Sequence, residues 1–268
     1  MKLQRKLTNT EWEELVALGP GVRNYRGKVT LFYNGEKLWD YDYEERDSWE
    51  AIIILPGVEV ISEFSFQYIW NVRVVIMADT VKKIERNAFC MCFGLEFVKL
   101  SRNLEFIRFG AFQLCKSLNS IFFPPSCIEI GSHALDNCQQ LINLNVPQTT
   151  ELGDNVISNT KLIEASHFEE DELLINNHGR YQNNEQVNTW IKNINQSEDY
   201  ALHRACSSYN PITEIIYRII KRQGLKSFRK KNAIGITPVQ YLEENPFADI
   251  DQQKLMNRYI LELMGETV

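Results

Sequence analysis

The sequence predicts an α/β protein in which a solenoid of units about 23 residues long is followed by an all-helical region. Two observations carry that expectation. Cys92, Cys115 and Cys138 recur at intervals of 23 residues, and the residues around them recur with them. From about residue 185 onward, apolar residues change to helical spacing. The expected division is an N-terminal helix and β-hairpin cap over 1–50, the solenoid over 51–166, a connecting segment over 167–184 and a helical domain over 185–268.

A cap is required because the first unit of a repeat stack has an apolar face with no neighbour. Thr10 and Glu13 have the spacing of a capping box, opening a short helix through Leu18 that Gly19-Pro20-Gly21 ends. VTLFYNGEKLW reads as a hairpin, Val29 to Tyr33 against Lys37 to Trp39 around Asn34-Gly35, placed to pair with the first strand of the stack. DYDYEERD, residues 40 to 47, reads as a solvated acidic loop; it lacks the glycine and terminal glutamate of a calcium-binding loop.

The repeat columns define the solenoid. Ile61, Ile84, Ile107 and Ile130 form one; Phe66, Phe89, Phe112 and Leu135 another, each preceded by Ser65, Ala88, Ala111 or Ala134. Trp49, Val72, Leu95, Leu118 and Leu141 follow, then Ile52, Val75, Val98, Ile121 and Leu144, then Ile54, Met77, Leu100, Phe123 and Val146. The last two columns are two residues apart, which suits a short strand with both side chains inward. One coil cannot bury its own apolar face, so stacking must complete the core. Cys92, Cys115 and Cys138 then align inside the turn as small buried hydrophobes with weak thiol donors. Cys90 and Cys127 fall outside this column, and no matching Cys-x-Cys or histidine-rich segment completes a metal site.

Residues alternating with the core positions build a continuous outer strand face. They are Ile53, Ile76, Lys99, Phe122 and Asn145, and before them Ala51, Val74, Phe97, Ser120 and Asn143. Large apolar residues facing water in that density mark a contact. Ile53, Val74, Ile76, Phe97, Lys99 and Phe122 are therefore the candidate protein-binding residues. Two other accounts stay open: an element of the same chain covers the face, or the residues reflect strand propensity.

After Pro147 the repeat decays. TELGDNVISNTKLIEAS keeps a shortened echo, and FEEDELLINNHGRYQNNE reads as a polar connection. Val187, Trp190, Ile191 and Ile194 then share a helix face, and a second helix starts near Tyr200. Asn210-Pro211 opens a third with Ile212, Ile215, Ile216, Ile219 and Ile220, which Gly224 ends. Thr237-Pro238 precedes a helix over VQYLEEN, and Asp251 leads into a last one bearing Leu255, Met256, Tyr259, Ile260 and Leu263.

IERNAFCMCFGLEFVKLSRN, IRFGAFQLCKSLNSIFFPPS and IGSHALDNCQQLINLNVPQT resemble the BspA-like leucine-rich repeat family, whose units run near this length and end in a strand. The resemblance covers roughly residues 50 to 165, and the longer chain looks like the members found in diatoms and other microbial eukaryotes. It implies a leucine-rich repeat solenoid and an interaction or adhesion role, with no family catalytic residue to carry over. GITPVQYL resembles the ankyrin signature in Gly235, Thr237 and Pro238, with Gln240 where that family has histidine. YALHRAC matches it in Leu202, His203 and Ala205. This second resemblance implies degenerate ankyrin-like units in which His203 ties a helix to a loop by hydrogen bonds.

Little in the chain invites a chemical reading. His203 and Cys206 share a helix face, but a nucleophile needs a base on the thiol and a third group orienting it. His133, His167 and His178 are dispersed, and neither a glycine-rich phosphate loop nor a G-x-S-x-G elbow is present. No catalytic, cofactor-binding or metal residue is expected. An enzyme whose site converges only in three dimensions is the competing class. The basic run Lys221 to Lys231 gives the other alternative, a phosphate-bearing ligand or nucleic acid held by Lys226, Arg229, Lys230 and Lys231. A net charge of -6 disfavours nucleic acid and favours a protein or peptide partner. No apolar run has membrane-spanning length. MKLQRKLTNTEWEEL turns acidic where a signal peptide needs its apolar core, so a cytoplasmic location with six free thiols is expected.

Overall fold

The computed structural model describes residues 4–6, 29–35, 43–164, 174–175, 181–182, 188–190, 192, 203, 206, 219, 223, 227, 229–232 and 235–244. At the front of the stack, β1 (Gln4–Lys6) runs antiparallel to β2 (Val29–Tyr33). The short helix α1 (Tyr43–Asp47) follows. Each coil then supplies two strands. In chain order they are β3 (Ala51–Ile54) and β4 (Val60–Ile61), β5 (Val74–Met77) and β6 (Lys83–Ile84), β7 (Phe97–Lys99) and β8 (Phe106–Ile107). The last two coils add β9 (Ser120–Phe122) and β10 (Glu129–Ile130), then β11 (Asn143–Asn145) and β12 (Glu151–Leu152).

The longer strands form one wall of the solenoid. β2, β3, β5 and β7 are parallel neighbours, and β9 pairs in parallel with β11. The repeat interval sets the register: Ala51 lies beside Val74, Val74 beside Phe97, and Ser120 beside Asn143. The second strands form a parallel five-stranded wall in the order β12-β10-β8-β6-β4. That wall was visible in the sequence only as the column Ile61, Ile84, Ile107 and Ile130, all of which point into the core. Coils approach closely where the columns carry small residues. A Cβ on Gly153 would lie 2.4 Å from the Ser132 backbone nitrogen, a separation that side chains do not tolerate.

Packing between the walls follows the repeat. Ile52, Val75, Val98, Ile121 and Leu144 are buried, as are Ile54, Met77, Leu100, Phe123 and Val146. Phe66 stacks on Phe89 with centroids 5.0 Å apart, and Phe89 on Phe112 at 5.2 Å, spacings close to the distance between neighbouring strands. Tyr33 of β2 meets the open end of this column edge-on at 4.9 Å. Arg46 of α1 closes another open edge by donating from Nη2 to the Ser65 and Gln67 carbonyls.

Three expectations need correction. β2 forms as expected and pairs with the first coil, but its antiparallel partner is Gln4–Lys6; Lys37 to Trp39 lie outside the described residues. A local Asn-Gly turn signal lost to a strand distant in sequence. The acidic segment contains α1, which is pinned to the first coil by Arg46 and ended by Ser48, whose hydroxyl donates to the Glu45 carbonyl at 2.6 Å. The polar connection contains an antiparallel pair, β13 (Leu174–Ile175) with β14 (Tyr181–Gln182), flanking the turn-prone Asn176-Asn177-His178-Gly179.

The shortened echo after Pro147 supplies β12 and a one-turn helix, α2 (Lys161–Glu164). In the C-terminal region, α3 (Pro238–Glu244) stands where the threonine-proline signal placed a helix. Thr237 Oγ1 accepts from the Gln240 backbone N–H at 3.3 Å, and Gln240 Oε1 accepts from the Thr237 N–H at 2.9 Å, a reciprocal cap. The helix expected over Thr10–Leu18 and the one after Asp251 lie outside the described residues, as does most of the other C-terminal helices. Cys206, Ile236, Tyr241 and Leu242 belong to the same apolar core as the coils.

Candidate interaction surfaces

The strand face is not open to solvent. Val74, Ile76 and Lys99 are buried, Phe97 is 8% exposed and Phe122 1%, while Ile53 is half-buried. Strand alternation identifies which side chains point away from the coil interior; it carries no information on what packs over them. Of the three accounts left open for this face, its burial favours cover by the same chain. Burial lowers the Lys99 pKa, and nearby Asp79 opposes that shift. In the basic segment Arg229, Lys230 and Lys231 are exposed, and Lys226 lies outside the described residues.

The thiols are structural. Cys92 Sγ donates to the Phe66 carbonyl at 3.1 Å, Cys115 to that of Phe89 at 3.2 Å and Cys138 to that of Phe112 at 3.2 Å. Each thiol thus ties one coil to the coil before it. Burial raises the pKa of all three far above the ordinary thiol value and raises that of Cys127 to about 12. A nucleophilic thiol requires the opposite shift. Burial likewise drives up the Cys206 thiol and pulls down the His203 imidazole, so both favour their neutral forms. His203 Nε2 lies 3.1 Å from the Ile236 carbonyl, linking its helix to the turn ahead of α3.

His133 and Asp136 make a histidine–carboxylate pair that the sequence did not single out, with Nδ1 3.3 Å from Oδ2. The carboxylate also accepts from Gln113 Nε2 at 2.9 Å and from Asn137 Nδ2 at 2.8 Å. Those amides hold the carboxylate within a cross-coil network. Among the described residues, no three His, Cys, Asp or Glu side chains are grouped to hold a metal ion.

The third arm of each coil, which follows the second strand, carries exposed large side chains in the first coil. It is knitted to its neighbour by backbone bonds: in the first coil the N–H groups of Phe64, Phe66 and Tyr68 donate to the carbonyls of Arg86, Ala88 and Cys90. Two positions per arm are left-handed. Phe64, Asn87, Gly110, His133 and Asn155 form one such column, and Tyr68, Met91, Leu114, Asn137 and Asn159 the other, with φ between 53° and 64°. The coil imposes this backbone, because it recurs whatever the side chain. For a residue with a bulky side chain it costs about 1–2 kcal/mol, which glycine escapes and asparagine reduces.

Phe64 and Tyr68 carry that cost and are also 41% and 43% exposed. Trp70, on the same arm, is 52% exposed. It stacks on Phe93 at 6.1 Å, and Lys116 Nζ sits 4.8 Å over the Phe93 ring. Sequence reasoning missed Phe64, Tyr68 and Trp70 because they follow the core columns closely. Their signal lay in the columns themselves, where later coils place Asn87, Asn137 and Gln139 at the equivalent positions.

Parallel strands repeated at a fixed interval, with inward aliphatic columns between them, define a leucine-rich repeat solenoid. The sequence matches the BspA type leucine rich repeat region in six copies over residues 36–170, half of the chain, and the protein belongs to that family. It is similar in structure to a leucine-rich repeat protein of T. pallidum, at 25% identity and TM-score 0.38, over 48% of this chain and 57% of that one. A leucine rich cell surface protein from Faecalibacterium prausnitzii matches at 26% identity and TM-score 0.36, over 46% of this chain and 30% of its own. The chain thus spans less than two thirds of either relative. No curated protein matches it.

Proposed function

We propose that the protein is a non-enzymatic interaction module that engages another protein through the outer arm of its first coil. Leucine-rich repeat proteins are generally protein-interaction modules, and extended repeat surfaces suit that use. One observation carries the choice of surface: Phe64 and Tyr68 stand in solvent at positions where later coils have Asn, Gly, His, Met or Leu, and exposed Trp70 stands beside them in a column that continues as Phe93, Lys116 and Gln139. Strained backbone beneath exposed aromatics is characteristic of binding sites, and aromatics dominate contact hot spots.

The strand-face residues Ile53, Val74, Ile76, Phe97, Lys99 and Phe122 are a second route, which requires the covering part of the chain to lift. The link from His203 to Ile236 ahead of the Thr237 cap supports an ankyrin-like second repeat type in the C-terminal region. Cytoplasmic residence belongs to the same proposal. Photo-crosslinkers at Gln67 and Asn71 on the arm, Ile53 and Asn145 on the strand wall, and Lys231 in the basic segment test it in the native cell. A defined protein adduct from Gln67 or Asn71 is expected. Adducts from the wall positions alone would move the contact to the strand face, and nucleic-acid adducts from Lys231 would establish the phosphate-binding alternative.

A further inference from the structure

We infer that the aromatic arm of the first coil receives a cationic segment of its partner, an arginine- or lysine-bearing peptide; this rests on the interaction-module reading above. Aromatic rings attract cations through the negative face of their quadrupole. Outward aromatics in later coils already have such a cation from this chain. Lys116 lies 4.8 Å over Phe93, Arg86 5.3 Å over Phe109 and Arg108 4.8 Å over Phe106. Among the described residues no cation covers Phe64, Tyr68 or Trp70. The first coil has the receptor half of this arrangement, and a partner supplies the other half.

The charge around the arm is complementary to such a partner. Glu63 is exposed and precedes Phe64. It stands one coil ahead of Arg86 in the column where Arg86 covers Phe109. Helix α1 is fastened to the same arm twice, by Arg46 on the Ser65 and Gln67 carbonyls and by Asn71 Nδ2 donating to the Asp47 carbonyl at 2.8 Å. That attachment brings Asp47 beside Asn71, next to Trp70, with Glu44 on the same one-turn helix. Arg46 keeps its positive charge while bonded to the carbonyls, but Glu44, Glu45 and Asp47 outnumber it, so α1 stays net acidic. Protein charge of -6 adds a long-range pull on a basic segment.

The test uses the full chain and labelled eight-residue peptides, alternating Arg-Gly, Lys-Gly, Glu-Gly and Ser-Gly, read by fluorescence anisotropy. Arg-Gly and Lys-Gly are expected to bind, more weakly at higher salt, and Glu-Gly and Ser-Gly are not. The triple variant Phe64→Asn, Tyr68→Asn, Trp70→Gln is expected to lose at least tenfold in affinity with its thermal midpoint retained. These are residues the chain itself uses in the same columns, at Asn87, Asn137 and Gln139. Glu44→Gln with Glu63→Gln leaves the aromatics intact and is expected to weaken binding severalfold. Undiminished Arg-Gly binding by the triple variant would overturn the site. Equal binding of Ser-Gly and Arg-Gly, or no binding of either while crosslinks from Gln67 and Asn71 persist, would overturn the cationic class and leave the interaction module standing. Loss of both peptide binding and crosslinks would remove the module itself.

Discussion

Five deeply buried thiols make alkaline pH a direct probe of the stacked core. Cys92, Cys115, Cys127, Cys138 and Cys206 all have pKa values pushed far up by burial, that of Cys127 to about 12. In the unfolded chain each titrates near 9. A folded pKa raised above its unfolded value means stability is full below pH 9 and is lost as pH climbs toward the folded pKa, because the unfolded state releases the proton first. Between pH 9 and pH 10 one such thiol removes about 1 kcal/mol, and five together remove about 5 kcal/mol. Typical domain stability is about 5–15 kcal/mol, so unfolding near pH 10 to 11 is expected. Urea unfolding under reducing conditions, followed by tryptophan fluorescence at each pH, measures the slope. The variant Cys92→Ala, Cys115→Ala, Cys138→Ala should lose only about 2 kcal/mol over that interval, and Cys115→Ala alone about 4. Tyrosines titrate in every variant and cancel in the difference. Identical slopes in all three proteins would refute the buried ladder.

Two further outcomes follow from the coil packing. Leu95→Ala and Leu118→Ala each remove a fully buried side chain and should cost about 2–5 kcal/mol in urea unfolding, and losses under about 0.5 kcal/mol at both would contradict their core positions. Arg46→Ala strips the cap from the Ser65 and Gln67 carbonyls and should cost about 1–3 kcal/mol, with faster amide exchange at the arm of the first coil than at the second; unchanged exchange there would show that Arg46 does not seal that edge.

The coil interior was legible because stacking forces every unit to bury the same positions. Once Cys92, Cys115 and Cys138 aligned, the inward fate of Ile52, Val75, Val98, Ile121 and Leu144 followed, and the strand register with it. Elements depending on one distant partner were not legible. Asn34-Gly35 advertises a turn, yet β2 is paired by Gln4–Lys6, a choice made by tertiary packing that no local signal encodes. The acidic run became α1 for a similar reason: its anchor, Arg46, finds acceptors 19 and 21 residues further on.

For the candidate site, alternation was necessary information but not sufficient. It separated Ile76, Phe97 and Phe122 from the inward columns, but all three are buried in the folded chain. The more informative quantity was departure from a column's own chemistry. A left-handed position repeated in five coils is satisfied cheaply by Asn87, Gly110 and Asn155, so a phenylalanine there costs stability without serving the stack. Tyr68 repeats that conflict four residues later, on the same arm and in the same coil. Packing accounts for only part of either ring, since Phe64 is 41% and Tyr68 43% exposed. Local choices that oppose the fold persist where function compensates them. Met91 and Leu114 share the Tyr68 conflict but are less exposed, so what sets the first coil apart is the grouping of three exposed rings, Phe64, Tyr68 and Trp70, on one outer arm.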